Sequence, residues 1–336
     1  MRKIIVVLML VSVTTALGAE TKIIPMPDFL KPESLFFDKT QMYVTEGTSI
    51  HIFALKDFKL IKKFGKQGEG PQEFIVNAQF RLLLNVQTDD ILVQSFGKLS
   101  WYTKDGKYKR ELKLSNPLIL NIQPFGKNFV GIQIALGQKR MRRLNLYDYK
   151  INEIKNIIEK EDMFQLGKGM LIMKALPFSP VYNNKLFLAW EDELKIKVLD
   201  TKLNELYTVK YDIKKEEITE KDKKDIIHFF KTDPSTRDYF EILKPFKFTP
   251  HFPAIQNLIV TCDKIYVSTF KSKDEEEERE FLIFDIKGTF LKKVFLPFKM
   301  DTPIRPYPVT IHDGFLYQLV EDMDEEEWSL HMTEIK

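Results

Sequence analysis

Apolar and polar residues alternate over short stretches of this chain, with the two-residue period that is typical of half-buried β-strands. Polar turns interrupt the stretches, as in TDDILVQSF, NNKLFLAWE and CDKIYVSTF, and each turn leads directly into aromatic and β-branched residues. Turn residues between two alternating runs are typical of β-hairpins. The pattern therefore predicts an all-β protein that is built from antiparallel hairpins.

The hairpins belong to a repeat. In successive copies, the residue before the turn is Phe53, Tyr102, Tyr147, Leu199, Phe284 and Met332. The copies follow one another at steps of about 45 to 52 residues, but about 85 residues separate the fourth from the fifth. An apolar stretch (LILNI or GMLIM, for example) and a further turn and strand precede each hairpin. The pattern thus predicts four strands in each repeat except the last, in which it predicts three.

Six such repeats predict a six-bladed β-propeller, because blades of four short antiparallel strands recur with this period. The strand-like segment Thr21–Met26 has no hairpin partner of its own. We expect it to be the outer strand of the sixth blade, where it would close the ring and remove two exposed edges. An open solenoid or a pair of sandwiches is the alternative, although a solenoid would need polar caps that the sequence does not show.

The long fourth interval predicts a helical insertion, residues 214–253, between blades four and five. Thr219 and Asp222 have the spacing of a capping box, and Ile226 and Phe230 lie on one apolar helical face. We therefore expect one or two helices in this segment. Its charged helical start and the prolines near its end argue against a seventh blade.

The segment FGKQGEGPQEF, residues 64–74, could be a phosphate loop, a calcium loop or a connector between strands. A phosphate loop needs Gly-Lys-Ser/Thr before a helix, but Pro71 follows Gly70 here, and the glycine spacing does not fit a dinucleotide turn either. A calcium loop needs more acids than the segment has. A connector needs glycines for positive φ and a proline to end strand pairing. Gly65, Gly68, Gly70 and Pro71 therefore predict a structural connector.

The same segment carries a family resemblance. Its glycines, Pro71 and Phe74 match a connector between blades in six-bladed β-propellers related to the NHL-repeat group, many of which are exported bacterial proteins. The resemblance extends over residues 21–336 through the repeat, but the connector itself occurs once. It implies a propeller fold and says little about activity, although relatives include amidating lyases with three zinc-binding histidines and calcium-dependent lactonases.

The N-terminus predicts a signal peptide over residues 1–19. Arg2 and Lys3 precede the apolar run Ile4–Val13, and Gly18 and Ala19 offer small residues for cleavage after either of them. An uncleaved anchor or a buried strand is the alternative. Cleavage would leave residues 20–336 as an exported propeller, periplasmic or extracellular, without a stable membrane span.

Composition narrows the chemistry further. The chain has 51 basic and 48 acidic residues, so its net charge of +3 predicts no attraction to nucleic acid. Cys262 is its one cysteine, which excludes an internal disulfide, and strand-like neighbours predict a packed thiol. The five histidines are far apart in sequence and show no local zinc spacing. We expect no catalytic residue, metal or other cofactor.

A ligand site is expected at the mouth of the central channel, where the loops that enter the first strands converge. The candidate residues there are Arg81, Tyr182, His251, Arg305 and Tyr307, and Arg237 and Tyr239 of the insertion are candidates for a lid. The predicted function is binding of a small molecule or a protein. A hydrolase or lyase acting at the channel mouth is the alternative, and a structural subunit of an envelope complex is a third reading.

Overall fold

The computed structural model of the protein describes residues 20–77, 80–273, 277–322 and 324–336. The predicted signal peptide, residues 1–19, lies outside the described residues. Strands make up most of the described chain, and its helices lie between residues 220 and 243. The prediction of an all-β protein built from antiparallel hairpins is confirmed. Within these ranges, no helix is long and apolar enough to cross a membrane.

The first half of the described chain forms one separate strand and three four-stranded antiparallel sheets. The separate strand is β1 (Thr21–Pro25). Sheet 1 consists of β2 (Ser34–Phe37), β3 (Gln41–Glu46), β4 (Ser49–Ala54) and β5 (Leu60–Phe64). Sheet 2 consists of β6 (Leu83–Val86), β7 (Asp90–Ser95), β8 (Lys98–Thr103) and β9 (Tyr108–Lys113). Sheet 3 consists of β10 (Ile119–Phe125), β11 (Asn128–Ala135), β12 (Met141–Tyr147) and β13 (Glu153–Glu161).

The next part of the chain contains sheet 4 and the helical region. Two strands, β14 (Phe164–Gln165) and β15 (Gly169–Ile172), precede sheet 4. Sheet 4 consists of β16 (Val181–Tyr182), β17 (Lys185–Leu188), β18 (Lys195–Leu199) and β19 (Glu205–Lys210). After it come α1 (Glu220–Thr232), a short 3-10 helix (Arg237–Tyr239), α2 (Phe240–Leu243) and β20 (Phe246–Phe248).

The last part of the chain forms sheets 5 and 6. Sheet 5 consists of β21 (Asn257–Thr261), β22 (Lys264–Lys273), β23 (Glu278–Asp285) and β24 (Phe290–Pro297). A two-stranded hairpin follows, made of β25 (Met300–Thr302) and β26 (Arg305–Pro306). Sheet 6 contains β27 (Val309–His312), β28 (Phe315–Asp322) and β29 (Glu327–Glu334), and β1 adds to it as the fourth strand.

Strand β1 is the outer strand of sheet 6. It runs antiparallel to β29, with Ile24 opposite Leu330, and the hydroxyls of Thr21 and Thr333 are hydrogen-bonded at 2.8 Å. Ile24 packs against buried side chains of sheets 1 and 6, whereas Ile23 is 59% exposed. The two-residue period of the strand thus places one isoleucine on the core and its neighbour in solvent.

Six clusters of the hydrophobic core each join two neighbouring sheets, and a seventh lies under the helices. Tyr43 and Ile52 of sheet 1 share one cluster with Leu84 and Ile91 of sheet 2. Further clusters join sheets 2 and 3, 3 and 4, 4 and 5, and 5 and 6 in the same way. A cluster around Leu330 joins sheet 6 to sheet 1. The sheets therefore pack in the order in which the chain forms them, and sheet 6 also packs against sheet 1.

Two-residue turns join the first and second strands of sheets 4, 5 and 6. Both residues of each turn have positive φ, namely Asn183 and Asn184, Cys262 and Asp263, and Asp313 and Gly314. Such turns match the right-handed twist of the strands that they connect. Cys262 is exposed, so the prediction of a packed thiol is wrong. The residue belongs to the turn and not to the apolar strand beside it.

The helical region begins as the sequence predicts. The backbone N–H of Asp222 donates to the Thr219 hydroxyl at 3.1 Å, and the N–H of Thr219 donates to the Asp222 carboxylate at 2.8 Å. This capping box satisfies two N–H groups at the start of α1. Ile226 and Phe230, on the apolar face of α1, are buried.

A small sheet supports the helices and corrects one strand assignment. The stretch Gly169–Ile172 was expected to be the first strand of the fourth repeat, but it pairs with β14 and, in parallel, with β20. Ile172 is buried in a cluster with Ile226 and Phe230 of α1. The apolar face of α1 needs an apolar surface to cover it, and this strand supplies one. The first strand of sheet 4 is instead the two-residue β16.

Candidate functional site

A cavity of about 410 Å³ lies where sheets 6, 1 and 2 meet, and we call it the arginine cavity. Its charged side chains come from the segments that lead into the first strands of sheets 1 and 2, from hairpin β25–β26, and, in the case of Glu321, from β28. The lining residues are Leu30, Lys31, Pro32, Glu33, Arg81, Asp301, Arg305, Pro306, Tyr307, Pro308, Val309, Glu321 and Trp328. Three of the five residues predicted for the site, Arg81, Arg305 and Tyr307, therefore meet in one cavity.

Backbone contacts hold the segment that carries Lys31 and Glu33. The N–H groups of Leu30 and Lys31 both donate to Oε1 of Glu46, at 2.7 and 2.8 Å. The indole N–H of Trp328 donates to the carbonyl of Leu30 at 3.1 Å. This side of the cavity is thus anchored to both sheet 1 and sheet 6.

Arg81 and Glu33 are loosely paired within the cavity. Nε of Arg81 is 3.7 Å from Oε1 of Glu33, which is too long for a hydrogen bond, and Oε2 of Glu33 is buried without a hydrogen-bond partner among the described residues. Burial raises the pKa of Glu33, and the nearby charges of Arg81 and Lys31 oppose this effect without reversing it. Burial and the charge of Arg305 lower the pKa of Arg81. Both groups therefore have bonding capacity that no described residue uses fully.

Arg305, in contrast, is held by a carboxylate from its own hairpin. Its Nε donates to Oδ2 of Asp301 at 3.0 Å, and its Nη2 contacts the same oxygen. Tyr307 stacks edge-on against Trp328 with 5.7 Å between ring centroids. Burial, followed by the charges of Asp301 and Glu321, raises the pKa of Tyr307. The cavity thus combines one fixed arginine, one loosely paired arginine and an aromatic wall.

The helical region approaches the charged groups of this cavity at Asp233, which caps the C-terminus of α1. Burial raises the pKa of Asp233, but hydrogen bonds from Ser235 and the charges of Lys31 and Arg305 outweigh this and lower it. Of the two residues predicted as a lid, Arg237 is exposed beside Asp238 and lines none of the cavities described here. Tyr239 lines a different cavity of about 640 Å³, between the helices and sheets 2 and 3.

Tyr182 and His251 do not line the arginine cavity. Tyr182 is the last residue of its first strand, whereas Arg81 and Arg305 precede theirs, and its hydroxyl donates to Asp263 at 3.2 Å. His251 lies in the segment that returns from the helices, where its backbone forms an isolated antiparallel β-bridge with Glu217.

The glycine-rich segment packs against its own sheet. Gly65 has φ of +97°, and a Cβ atom there would lie 2.3 Å from the carbonyl oxygen of Thr48. The N–H of Gly70 donates to Glu73 at 2.9 Å, while Lys98 of sheet 2 donates to the carbonyl of Gly70 at 2.9 Å. These contacts link sheet 1 to sheet 2. They agree with the role of a connector, which stays a prediction from the sequence.

Sequence reasoning missed Lys31 and Glu33. Arg81 and Arg305 were selected because they lie just before a first strand. Glu33 meets the same criterion, because it directly precedes β2. The stretch LKPESLFF therefore contained the signal, because it places two charges and a proline before an apolar strand. Asp301 could not be found in this way, since its contact depends on the short hairpin β25–β26.

A scan against protein-family models and a search of curated proteins give no match. The solved structures that are similar in fold include two Bacteroides proteins. A Bacteroides fragilis protein that carries the description "putative exported protein" is 13% identical with a TM-score of 0.57, over 94% of this chain and 95% of that one. A member of the DUF4221 family from Bacteroides vulgatus is 12% identical with a TM-score of 0.55, over 94% and 97%. At these identities, the likeness shows that the chain shares the overall fold of these proteins.

Proposed function

We propose that the six four-stranded sheets are the blades of a six-bladed β-propeller, residues 20–336, which β1 closes. The support is the core, in which five clusters join consecutive sheets and a sixth joins sheet 6 to sheet 1. Contacts between first strands agree with this, because β2 touches both β6 and β27. The glycine-rich connector supports a relation to NHL-type propellers at the level of residues.

We also propose that the protein is exported and that residues 1–19 are removed. The charged and apolar pattern of these residues supports this, as does the description of the Bacteroides fragilis structure as an exported protein. Its compartment would then be the periplasm or the exterior of the cell.

The function that the arginine cavity supports best is binding of a small ligand that carries a carboxylate and a nearby N–H donor, such as an amino acid or a short peptide. The observation that carries the proposal is the loosely held pair of Arg81 and Glu33. The guanidinium fork of Arg81 matches a carboxylate, and the unpartnered oxygen of Glu33 can accept from an N–H group. A cavity of about 410 Å³ is within the range of small-molecule sites, and Tyr307 and Trp328 give it an aromatic wall.

The proposal is tested with amino acids and dipeptides as probes, each beside its C-terminal amide. Thermal shift would detect binding by the chain from residue 20 onwards, and calorimetry would measure Kd. We expect the acids to stabilise the protein more than the amides do. Arg81→Gln should raise Kd at least about tenfold, since a charge-assisted hydrogen bond contributes about 1.5–3 kcal/mol.

Arg237→Gln is the matched control, because Arg237 is an exposed arginine outside the cavity. The Kd of this variant for the probes should equal that of the wild type. Equal binding of acids and amides would contradict the proposal, as would unchanged affinity in the Arg81 variant or the absence of any shift with all probes. Turnover of a bound probe would favour the alternative of a hydrolase or lyase.

A further inference from the structure

Three side chains that bind metals in other proteins meet at the far ends of the first strands of sheets 5 and 6. Cys262 lies in the turn after β21, His312 ends β27, and Asp313 begins the next turn. One ligand atom of each lies within 4.8 Å of the others. Strand β27 separates this cluster from Arg305 and Tyr307, so it is distinct from the arginine cavity.

The distances suit a tetrahedral ion. Sγ of Cys262 is 3.6 Å from Oδ1 of Asp313, and Nε2 of His312 is 3.4 Å from Oδ2 of Asp313. Bonds of about 2.3 Å to sulfur and about 2.0 Å to nitrogen or oxygen put tetrahedral ligands about 3.5 Å and about 3.3 Å apart for these two pairs. The two distances end on different oxygens of Asp313, and the three ligand atoms lie within 4.8 Å of one another, so the cluster is compact enough to surround one zinc-sized ion.

His312 provides an independent reason to place a ligand here. Its side chain is 11% exposed, and Nε2 is buried with no hydrogen-bond partner among the described residues. Buried polar atoms normally have a partner, so the lone nitrogen indicates that a ligand binds at this position. The ring stacks on Phe37 with centroids 5.3 Å apart, which fixes its plane. Cys262 and Asp313 are exposed and leave a path for the ion.

We propose that Cys262, His312 and Asp313 bind a divalent transition-metal ion of the zinc class, with one coordination position left to water. Sulfur, imidazole nitrogen and carboxylate oxygen together favour such an ion over magnesium or calcium, which prefer oxygen alone. Sequence spacing could not show the site, because Cys262 and the other two ligands are about 50 residues apart in different sheets. An ion there would link the turns of sheets 5 and 6.

The experiment uses the chain from residue 20 onwards, freed of metal by a chelator and then titrated with Zn²⁺ and with Co²⁺. Competition with a chromophoric chelator should give one Zn²⁺ per chain with Kd in the micromolar range or below. Co²⁺ should give the visible bands of a tetrahedral site and a thiolate-to-cobalt absorption in the near ultraviolet. Cys262→Ser should remove the thiolate band and weaken Zn²⁺ binding at least about tenfold, and Asp313→Asn should weaken binding to a similar extent.

His228→Asn is the matched control, since it removes an exposed histidine of α1 and should leave both spectra and affinity unchanged. The Cys262 and Asp313 substitutions fall on exposed turn residues, so a melting curve for each variant can confirm that it is folded. The proposal is overturned if the wild type binds no Zn²⁺ at micromolar protein, if its cobalt spectrum lacks the thiolate band, or if the Cys262 variant binds as the wild type does.

Discussion

Asp38 shows how one side chain connects two sheets. It follows the first strand of sheet 1, and its carboxylate accepts from the Tyr43 hydroxyl at 2.7 Å and from Lys104 of sheet 2 at 3.0 Å. Burial raises the pKa of Asp38, but the N–H of Thr40 and these two donors outweigh it and lower the pKa to about 2. The charged form is therefore stabilised by folding.

This shift predicts a pH dependence. A carboxylate with a depressed pKa contributes stability above its unfolded pKa of about 3.9, and the contribution is lost as the pH falls toward about 2. We expect Asp38→Asn to lower the free energy of unfolding by roughly 1–2 kcal/mol at pH 7, after allowance for solvent screening. Urea unfolding between pH 7 and pH 2 should show the deficit shrinking below pH 4.

The control for this prediction is Asp57→Asn, which removes a more exposed carboxylate of the same sheet and should change stability little. A deficit of the Asp38 variant that is constant down to pH 2 would show that the carboxylate's charge is not the cause.

At the residue scale, the sequence predicted the charged groups of the candidate site better than their partners. Arg81, Arg305 and Tyr307 could be selected because each precedes a strand that alternation had located. Tyr182 does not meet them, because it ends the first strand of its sheet and does not precede it. The pairing of Arg305 with Asp301 depends on the short hairpin β25–β26, and the meeting of Cys262 with Asp313 depends on a contact between turns of two sheets that no local pattern encodes.

Among the elements, the helical region shows where local reasoning stops. The capping box and apolar face of α1 are local features, and the sequence predicted both. The strand that supports the helix is not local, because β15 pairs in parallel with β20, a partner more than 70 residues further along the chain. An apolar stretch of four residues fits a blade strand equally well, and only the tertiary contact decides between the two.

The contact between these strands gives a second prediction. Gly169 has φ of +83°, and a Cβ atom there would lie 2.0 Å from the carbonyl oxygen of Pro245. Gly169→Ala should therefore push β20 away and increase hydrogen exchange in α1. We expect this substitution to lower the free energy of opening of the helical region by roughly 1–3 kcal/mol more than a control substitution does.

The control is Gly167→Ala, whose φ of +73° carries a similar backbone cost, but whose Cβ atom would meet nothing within 4 Å. Hydrogen exchange measured by mass spectrometry compares α1 in the two variants. Equal exchange in both would mean that the contact with Pro245 does not hold the helices in place.

For the whole molecule, the repeat made sheets 1 to 5 predictable, because each is formed by neighbouring segments of the chain, whereas sheet 6 takes its fourth strand from the other end of the described chain. The pairing of β1 with β29 was inferred by counting strands, and it is present. What counting could not supply is how firmly this strand holds the molecule together. One isoleucine of the strand faces the core and the other faces solvent, so substitutions at the two positions can measure the contribution of the core face to stability.

Ile24→Asp places a charge against the apolar cluster of sheets 1 and 6, whereas Ile23→Asp places it on the solvent face of the same strand. We expect the first to lower the free energy of unfolding by roughly 2–4 kcal/mol and the second by less than about 0.5 kcal/mol. Urea unfolding would measure both. Equal effects, large or small, would contradict a supporting role for the core face of β1.

The hydrogen bond between Thr21 and Thr333 joins residues that are 312 positions apart. During synthesis, β1 leaves the ribosome before every other described strand, and its partner β29 leaves after them. Sheets 1 to 5 can each form as soon as their own strands have emerged, but sheet 6 has to wait until β29 has emerged as well. Until then, Ile24 has only the side chains of sheet 1 to cover, and the final step of folding cannot begin before β29 has been translated.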